Sequence, residues 1–206
     1  MRGISEHSRR WIWLAAIVLC LGAFAALGAY RRLSLPRPVE VGERAPAFAL
    51  PRLGGGMFSL PGRPGKIVFL NFFTTWCPPC QTEAPDFARF ADRHGNQVEL
   101  VMVDRREGPA LVRSFVRRYR LWRAAVLLDR GDILAEPYGV TGQPETFGIT
   151  RAGIVAFHAV GPLSYRALQE KLRAMERGAA GAGGSPASGG GLRRRGNALR
   201  GVGRSR

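Results

Sequence analysis

The 206-residue chain is poor in lysine, histidine and cysteine. Only two of its 31 basic residues are Lys, so arginine is common throughout and a local arginine cluster is weak evidence for a binding surface. Three Cys are too few for a small disulfide-stapled scaffold. The 27 Gly follow no three-residue period, which excludes collagen. An apolar share of 46% is that of a globular protein and excludes wholesale disorder.

The net charge of +16 favours a polyanion-binding protein until it is divided along the chain. Residues 1–37 carry +5, residues 38–177 carry +5 and residues 178–206 carry +6. Most of the excess therefore lies at the two ends, and the middle is only mildly basic. We expect no nucleic-acid partner, and we keep a basic polyanion-binding protein as a remote alternative.

The N-terminal region contains 20 consecutive residues without a charge, at 11–30. At about 1.5 Å per residue, a helix of this length spans about 30 Å, the thickness of the hydrocarbon core of a bilayer. Arginine pairs flank the run, and aromatic residues lie near both of its ends. We predict a single transmembrane helix at 11–30 within an N-terminal anchor and linker, residues 1–37. The run is long for a signal peptide, which favours a retained anchor over a cleaved one, although residues 23–25 form a weak A-x-A site.

The C-terminal region, residues 178–206, begins with Gly, Ala and Ser and continues with scattered Arg. This composition predicts a disordered basic tail. Attraction of this tail to anionic lipid is the sharper alternative.

The middle region, 38–177, is long enough for one hydrophobic core and alternates strand and helix patterns. It predicts a short β-hairpin or two strand fragments over 41–60, and strands at 66–74, 98–103, 124–128, 145–150 and 153–160. Helices are predicted at 78–94, 109–119 and 132–138, with a last helix that is capped by Ser164 and runs to about residue 177. Strand–helix–strand units followed by a hairpin and a helix predict an α/β domain with a central mixed sheet flanked by helices.

The reactive chemistry is predicted at the WCPPC motif, which follows a buried strand and opens a helix. The unpaired N–H groups and the dipole of the first helical turn favour the thiolate form of Cys77. Cys80, one turn further on, faces the same side and can attack a mixed disulfide on Cys77. Pro78 and Pro79 rigidify the loop and remove two N–H groups, and Trp76 is expected to shield the flank of an exposed sulfur.

Half of a zinc site is the structural alternative for this motif. Zinc requires four ligands as a rule, and the domain's other soft ligands are only the isolated His94 and His158, with no third Cys. We therefore predict no metal and no cofactor apart from a redox-active Cys77–Cys80 disulfide.

Three motifs, in this order along the chain, resemble a known family. The segment NFFTTWCPPC at 71–80, followed by Glu83 and Pro85, resembles the membrane-anchored thioredoxin-like proteins of the TlpA/ResA type, as does VGERAPAFAL at 41–50. The segment YGVTGQPETF at 138–147 is similar to the DsbE/CcmG branch, which acts in cytochrome c biogenesis. The resemblance covers about 41–175 and implies a thioredoxin-like fold with an N-terminal β-hairpin extension.

The resemblance also implies roles for individual residues. Cys77 would be the nucleophile and Cys80 the resolving thiol. The Gln143–Pro144 bond would be cis and would pack against the CPPC loop. The backbone of Gln143 would then pair with a client strand. Thr146, at the start of the strand beneath it, is predicted to bind the client as well.

Acid–base chemistry is the point at which the sequence departs from thioredoxin itself. Asn71 stands where thioredoxin has a buried Asp, and an amide cannot accept a proton. Glu83, one helical turn past Cys80, is the candidate for that role, its alternative being an exposed helix carboxylate. Glu145 is a second candidate, for tuning the site or for binding a client together with Gln143, and its alternative is a surface strand residue.

The resemblance favours a membrane-tethered thiol–disulfide oxidoreductase with its domain on the extracytoplasmic side of the cell membrane. It would reduce a client disulfide, such as that of apocytochrome c, and would receive electrons from a membrane donor of the DsbD/CcdA type. A general extracytoplasmic oxidant or reductase remains an alternative, because the sequence does not fix the reduction potential. A peroxidase is a further alternative, favoured by Thr74 three residues before Cys77 and opposed by Leu70, where a proline is expected.

Overall fold

The computed structural model describes residues 6–34, 37–61 and 65–182. They form a long N-terminal helix, a two-stranded hairpin, a five-stranded sheet and four further helices. The strands are β1 (Phe48–Pro51), β2 (Met57–Leu60), β3 (Ile67–Phe73), β4 (Val98–Arg105), β5 (Ala125–Asp129), β6 (Glu145–Ile149) and β7 (Val155–Val160). The helices are α1 (Glu6–Ser34), α2 (Pro78–His94), α3 (Pro109–Tyr119), α4 (Ala135–Tyr138) and α5 (Tyr165–Ala182).

The five-stranded sheet has the order β5-β4-β3-β6-β7. β3 and β5 are both parallel to β4, whereas β6 is antiparallel to its neighbours β3 and β7. A central strand covered on both faces has to be apolar nearly throughout, and all seven residues of β3 are buried. The predicted mixed sheet with flanking helices is confirmed.

Two hydrophobic clusters cover the two faces of the sheet. On one face, α2, α3 and α5 contribute buried side chains such as Phe87, Phe115 and Leu172. On the other face, the β1–β2 hairpin and α4 contribute Phe58 and Tyr138. The hairpin predicted within 41–60 is therefore present, and it packs into the core.

Strand register brings two loops together at one edge of the sheet. Because β6 is antiparallel to β3, Phe72 near the end of β3 lies opposite Glu145 at the start of β6. The chain that leaves β3 reaches Cys77, and the chain that enters β6 passes through Gln143 and Pro144. The WCPPC motif and the QPETF segment, 66 residues apart at Cys77 and Gln143, thus become neighbours.

Two helix bounds differ from the predicted ones. The short helix α4 begins at residue 135 instead of 132, because Asp132 has a left-handed φ of 53° that a right-handed helix cannot contain. Helix α5 continues to residue 182, five residues beyond the predicted end, and three of those five residues are alanine, the best helix former. The rest of the predicted tail, 183–206, lies outside the described residues.

Helix α1 contains the predicted membrane segment 11–30. Several of its apolar side chains are exposed, with Trp11 and Trp13 at 67% and Phe24 at 79%. A search of the described part of the chain finds no helix with the length and apolar character that a membrane crossing needs. The transmembrane anchor stays a prediction from the sequence.

Candidate active site

The two thiols of the WCPPC motif lie at the N-terminus of α2. Cys77 is the N-cap residue, with an extended backbone, and Pro78 and Pro79 occupy the first helical positions, where a missing N–H costs the helix nothing. Both thiols are free and buried, with Cys77 3% and Cys80 1% exposed. The prolines and Trp76 are exposed around them, Trp76 at 65%. The predicted exposure of the Cys77 sulfur is therefore wrong, because the neighbouring turn at Gln143 covers it.

The sulfur of Cys77 lies next to a backbone N–H donor and a backbone carbonyl acceptor. It accepts the backbone N–H of Cys80 at 3.3 Å, the bond that an N-cap side chain normally makes. Its thiol can donate to the carbonyl of Gln143, with the oxygen 3.6 Å from the sulfur. The carbonyl marks the place where the backbone of the neighbouring turn meets the sulfur.

The second thiol is in a different environment. Burial raises the pKa of Cys80, and the hydrogen bond with the Cys77 side chain raises it further. Cys80 is therefore held as a neutral thiol until a base removes its proton. This division suits Cys77 for attack on a disulfide and Cys80 for the later, resolving step.

A buried carboxyl group lies one turn further along α2. Glu83 is only 2% exposed, so the alternative of an exposed helix carboxylate is excluded. Its oxygens accept Nδ2 of Asn71 at 2.8 Å and the backbone N–H of Leu163 at 2.9 Å. Burial raises the pKa of Glu83 to about 7, against the lowering effect of these two bonds. The charge of Glu83 is among the causes that raise the pKa of Cys80, and a carboxyl that titrates near neutral pH is a candidate acceptor for the proton of that thiol.

The amide of Asn71 connects the two halves of the site. Besides Glu83, its Nδ2 contacts the hydroxyl oxygen of Thr146 at 3.1 Å. Asn71 thereby joins β3 to α2 and β6, which is a positioning role and needs no proton transfer. Thr146 is fully buried, so its side chain offers a client no surface.

The turn that precedes β6 is held from beneath by Glu145. The Gln143–Pro144 bond is cis, as the resemblance implies. Glu145 is 1% exposed, which excludes the surface-strand alternative. One of its oxygens accepts the N–H groups of Thr141 at 2.9 Å and Gly142 at 2.8 Å, and the other lies 2.6 Å from Nε2 of His158. Because it is buried, we assign Glu145 a role in fixing the turn and not in contacting a client.

Three residues of this region escape sequence reasoning. Glu107, after β4, accepts both the N–H and the hydroxyl of Thr75, which immediately precedes the WCPPC motif. His158 stacks on Phe147 with ring centroids 4.1 Å apart and contacts the buried glutamate of the turn. Arg105, at the end of β4, donates to the carbonyl of Gly142 in the same turn, although β3 separates β4 from β6. Their sequence spacing gives no signal, since strand pairing alone brings them to the site.

Comparison with known proteins gives a consistent result. The model of the AhpC/TSA family matches residues 41–158. The thiol-disulfide oxidoreductase ResA of Bacillus cereus is 31% identical over 166 residues, which cover 80% of this chain and 95% of that protein. The thioredoxin-like protein YneN of Bacillus subtilis is 30% identical over 165 residues, covering 78% of this chain and 96% of YneN.

A solved structure agrees with these relatives. The chain described as thiol:disulfide interchange protein DsbE from Chlorobium tepidum superposes with a TM-score of 0.62 at 27% identity, covering 66% of this chain and 98% of the other. The family match covers the part of the chain that carries the paired thiols and the cis-proline turn. The chain therefore belongs to the AhpC/TSA family of thioredoxin-like proteins, on its TlpA/ResA and DsbE/CcmG branch, and is a thiol–disulfide oxidoreductase.

Proposed function

We propose that this oxidoreductase is tethered to the cell membrane by residues 11–30 and reduces a specific client disulfide on the extracytoplasmic side, with apocytochrome c before haem attachment as the client. The observation that carries the proposal is the unequal pair of thiols. Cys77 has a backbone N–H donor beside it, and Cys80 is held neutral by burial. Such a pair starts an exchange at one sulfur and completes it at the other.

The exchange proceeds in two steps whose electrons and protons balance. The thiolate of Cys77 attacks one sulfur of the client disulfide, so that a mixed disulfide forms and the other client sulfur leaves as a thiolate. Glu83 accepts the proton of Cys80, whose thiolate then attacks Cys77. The second client sulfur leaves Cys77 as a thiolate and takes up the proton that Glu83 accepted. The client thus has two reduced sulfurs, and the protein retains a Cys77–Cys80 disulfide, having given up two electrons.

The environment of Cys80 supports the reducing direction. A dithiol protein becomes a strong oxidant when its reduced form is specially stabilised. Here burial raises the pKa of Cys80, so this sulfur adds no thiolate stabilisation to the reduced form. The resulting disulfide needs a reductant, and a membrane electron donor of the DsbD/CcdA type fits a tethered domain.

The membrane proposal rests on the N-terminal sequence. Twenty residues without a charge, bracketed by arginine, match the thickness of a bilayer core. The linker to the folded domain is short, since the first described residues after α1 begin at 37 and β1 begins at 48. A retained anchor would keep Cys77 near the membrane surface. Alkaline extraction and protease protection of the full chain in membrane vesicles test the anchor and its orientation.

Trapping tests the client. Cys80→Ser removes the resolving thiol, so the mixed disulfide on Cys77 should accumulate. Expressed as the full chain in a cell that makes c-type cytochromes, this variant should capture a precursor with the haem-attachment pattern C-x-x-C-H. Cys77→Ser is the matched control and should capture nothing. A broad set of secreted proteins on Cys80→Ser would indicate a general oxidoreductase and contradict the specific client.

A further inference from the structure

A single guanidinium group joins three segments beside the active site. Arg105, the last residue of β4, donates two hydrogen bonds to the carboxylate of Asp132, at 2.8 and 2.7 Å. Its remaining terminal nitrogen donates to the carbonyl of Gly142 at 3.1 Å and to the side-chain oxygen of Gln143 at 3.0 Å. Arg105 thus contacts both residues that precede Pro144.

The segment that Arg105 holds is the one that meets the reacting sulfur. The carbonyl of Gln143 lies 3.6 Å from Sγ of Cys77. Glu145 holds the N–H groups of the same turn from below, at Thr141 and Gly142. Arg105 supplies the complementary contacts, to the carbonyl of residue 142 and to the side chain of residue 143.

The contacts of residue 105 with Asp132, Gly142 and Gln143 require an arginine side chain held by a carboxylate. The side chain of Arg105 is 17% exposed and that of Asp132 is 5% exposed, so the pair lies largely out of solvent. A planar guanidinium can grip one carboxylate with two N–H groups and aim the others at two further acceptors, which the ammonium group of lysine cannot reproduce. Asp132 itself has a positive φ of 53° and lies before the start of α4.

We propose that Arg105 is a positioning residue for disulfide exchange: braced by Asp132, it fixes Gly142 and Gln143 in the pose in which their backbone receives a client strand next to Cys77. This inference deepens the proposed function and rests on it. Arg105 takes no part in electron or proton transfer. It affects how a polypeptide disulfide is positioned against the sulfur of Cys77.

The test compares disulfides that can and cannot pair with the backbone. The reduced full-length chain is assayed with an oxidised peptide that contains Cys-X-X-Cys-His, with insulin, and with the small aromatic disulfide dithionitrobenzoate. Loss of charge-assisted hydrogen bonds to the turn should raise KM of Arg105→Lys for the peptide and for insulin about five- to tenfold. Its kcat should stay within about twofold, and the rate with dithionitrobenzoate should be unchanged, because this small molecule makes no backbone pairing.

Two further variants sharpen the test. Asp132→Asn removes the carboxylate charge that holds Arg105 and should also raise KM for the peptide and for insulin, by a smaller factor. Arg166→Lys is the matched control, because Arg166 pairs with Glu170 on the exposed side of α5 and its side chain is 88% exposed. This control should leave KM, kcat and the midpoint of urea unfolding unchanged.

The outcomes separate this inference from the proposed function. An unchanged KM in Arg105→Lys overturns the inference. Equal losses with all three disulfides, together with a lowered unfolding midpoint, overturn it as well, since they show a purely structural role. A wild-type chain that reduces insulin but not the peptide contradicts only the cytochrome c client. A wild-type chain that reduces neither contradicts the proposed function and removes this inference with it.

Discussion

Two buried glutamates belong to the two segments that meet at Cys77, and they differ in the number of hydrogen bonds they accept. Glu83 on α2 is 2% exposed, and Glu145 on β6 is 1% exposed. Glu83 has one donor for each oxygen, the side chain of Asn71 and the N–H of Leu163. Two bonds do not offset its burial, so its pKa rises to about 7.

Glu145 instead has four donor groups around it. They are the N–H and hydroxyl of Thr141, the N–H of Gly142 and the ring of His158. All of these belong to the turn or to the strand beside it. The comparison shows how one residue type serves two purposes: a carboxyl with few donors is suited to gain and lose a proton, whereas one with many donors fixes the backbone around it.

Removing the acceptor of the turn should have the largest effect. Glu145→Ala removes the acceptor of the Thr141 and Gly142 N–H groups in this partly buried turn, and a hydrogen bond to a charged group contributes about 1.5–3 kcal/mol. We expect the free energy of unfolding to fall by about 3 kcal/mol, measured by urea denaturation. Peptide reduction should fall as well, because Gln143 moves relative to Cys77.

Glu145→Gln is the graded control for that loss. It retains one side-chain oxygen for the two N–H groups, so about half of the unfolding free energy that Glu145→Ala loses should be recovered. If Glu145→Ala had the same midpoint of urea unfolding as the wild type, the stability of the turn would not depend on this carboxylate.

Glu83→Gln should slow the resolving step by about tenfold to a hundredfold at neutral pH, as loss of a general base does. Below its pKa of about 7, Glu83 is protonated and cannot accept the proton of Cys80, and above it the carboxylate can. The wild-type rate should therefore rise as pH passes through about 7, and the variant should lack this rise. The decay of the mixed disulfide is measured by stopped flow between about pH 5 and about pH 9. This range extends about two pH units to either side of the Glu83 pKa.

Asp104→Asn is the matched control for that experiment. Asp104 is a second buried carboxyl, whose pKa is raised by burial and by Glu107, but its contacts are with Glu107 and not with the thiols. This variant should keep the rise near pH 7. If Asp104→Asn lost the rise and Glu83→Gln kept it, the proton role would belong to Asp104, which would contradict the role given to Glu83.

His158→Phe should have the smallest effect. It removes one of the four donors of Glu145 while an aromatic ring still packs on Phe147. We expect a loss of about 1 kcal/mol in unfolding free energy and a twofold to threefold rise in KM for peptide, both figures being of the size of one hydrogen bond. A loss as large as that of Glu145→Ala would mean that the histidine, and not the backbone N–H groups, anchors the glutamate.

The sequence predicts the parts of this site that are contiguous. WCPPC follows an apolar strand pattern and opens a helix, so the position of Cys77 and Cys80 could be read from local rules. The cis bond at Pro144 required the resemblance. The burial of Glu83 could not be predicted, because it depends on packing between α2 and the chain at Leu163, 80 residues away.

Arg105 and His158 show why the remaining residues were missed. Arg105 reaches Gln143 across 38 residues because β4 runs parallel to its neighbours and ends at the same edge as β3. His158 faces Phe147 because β7 pairs antiparallel with β6. Residue spacing predicts neither contact, since each depends on which strands become neighbours.

The most direct measurement concerns which sulfur attacks. The Cys80→Ser variant, in a background where Cys20 is replaced by Ala, is mixed with the oxidised Cys-X-X-Cys-His peptide, and the products are mapped by proteolysis and mass spectrometry. We expect one peptide joined to each chain through Cys77, and no adduct on the corresponding Cys77→Ser chain. An adduct on Cys80 in Cys77→Ser at a comparable rate, or complete peptide reduction by Cys80→Ser, would contradict the division of labour between the two thiols.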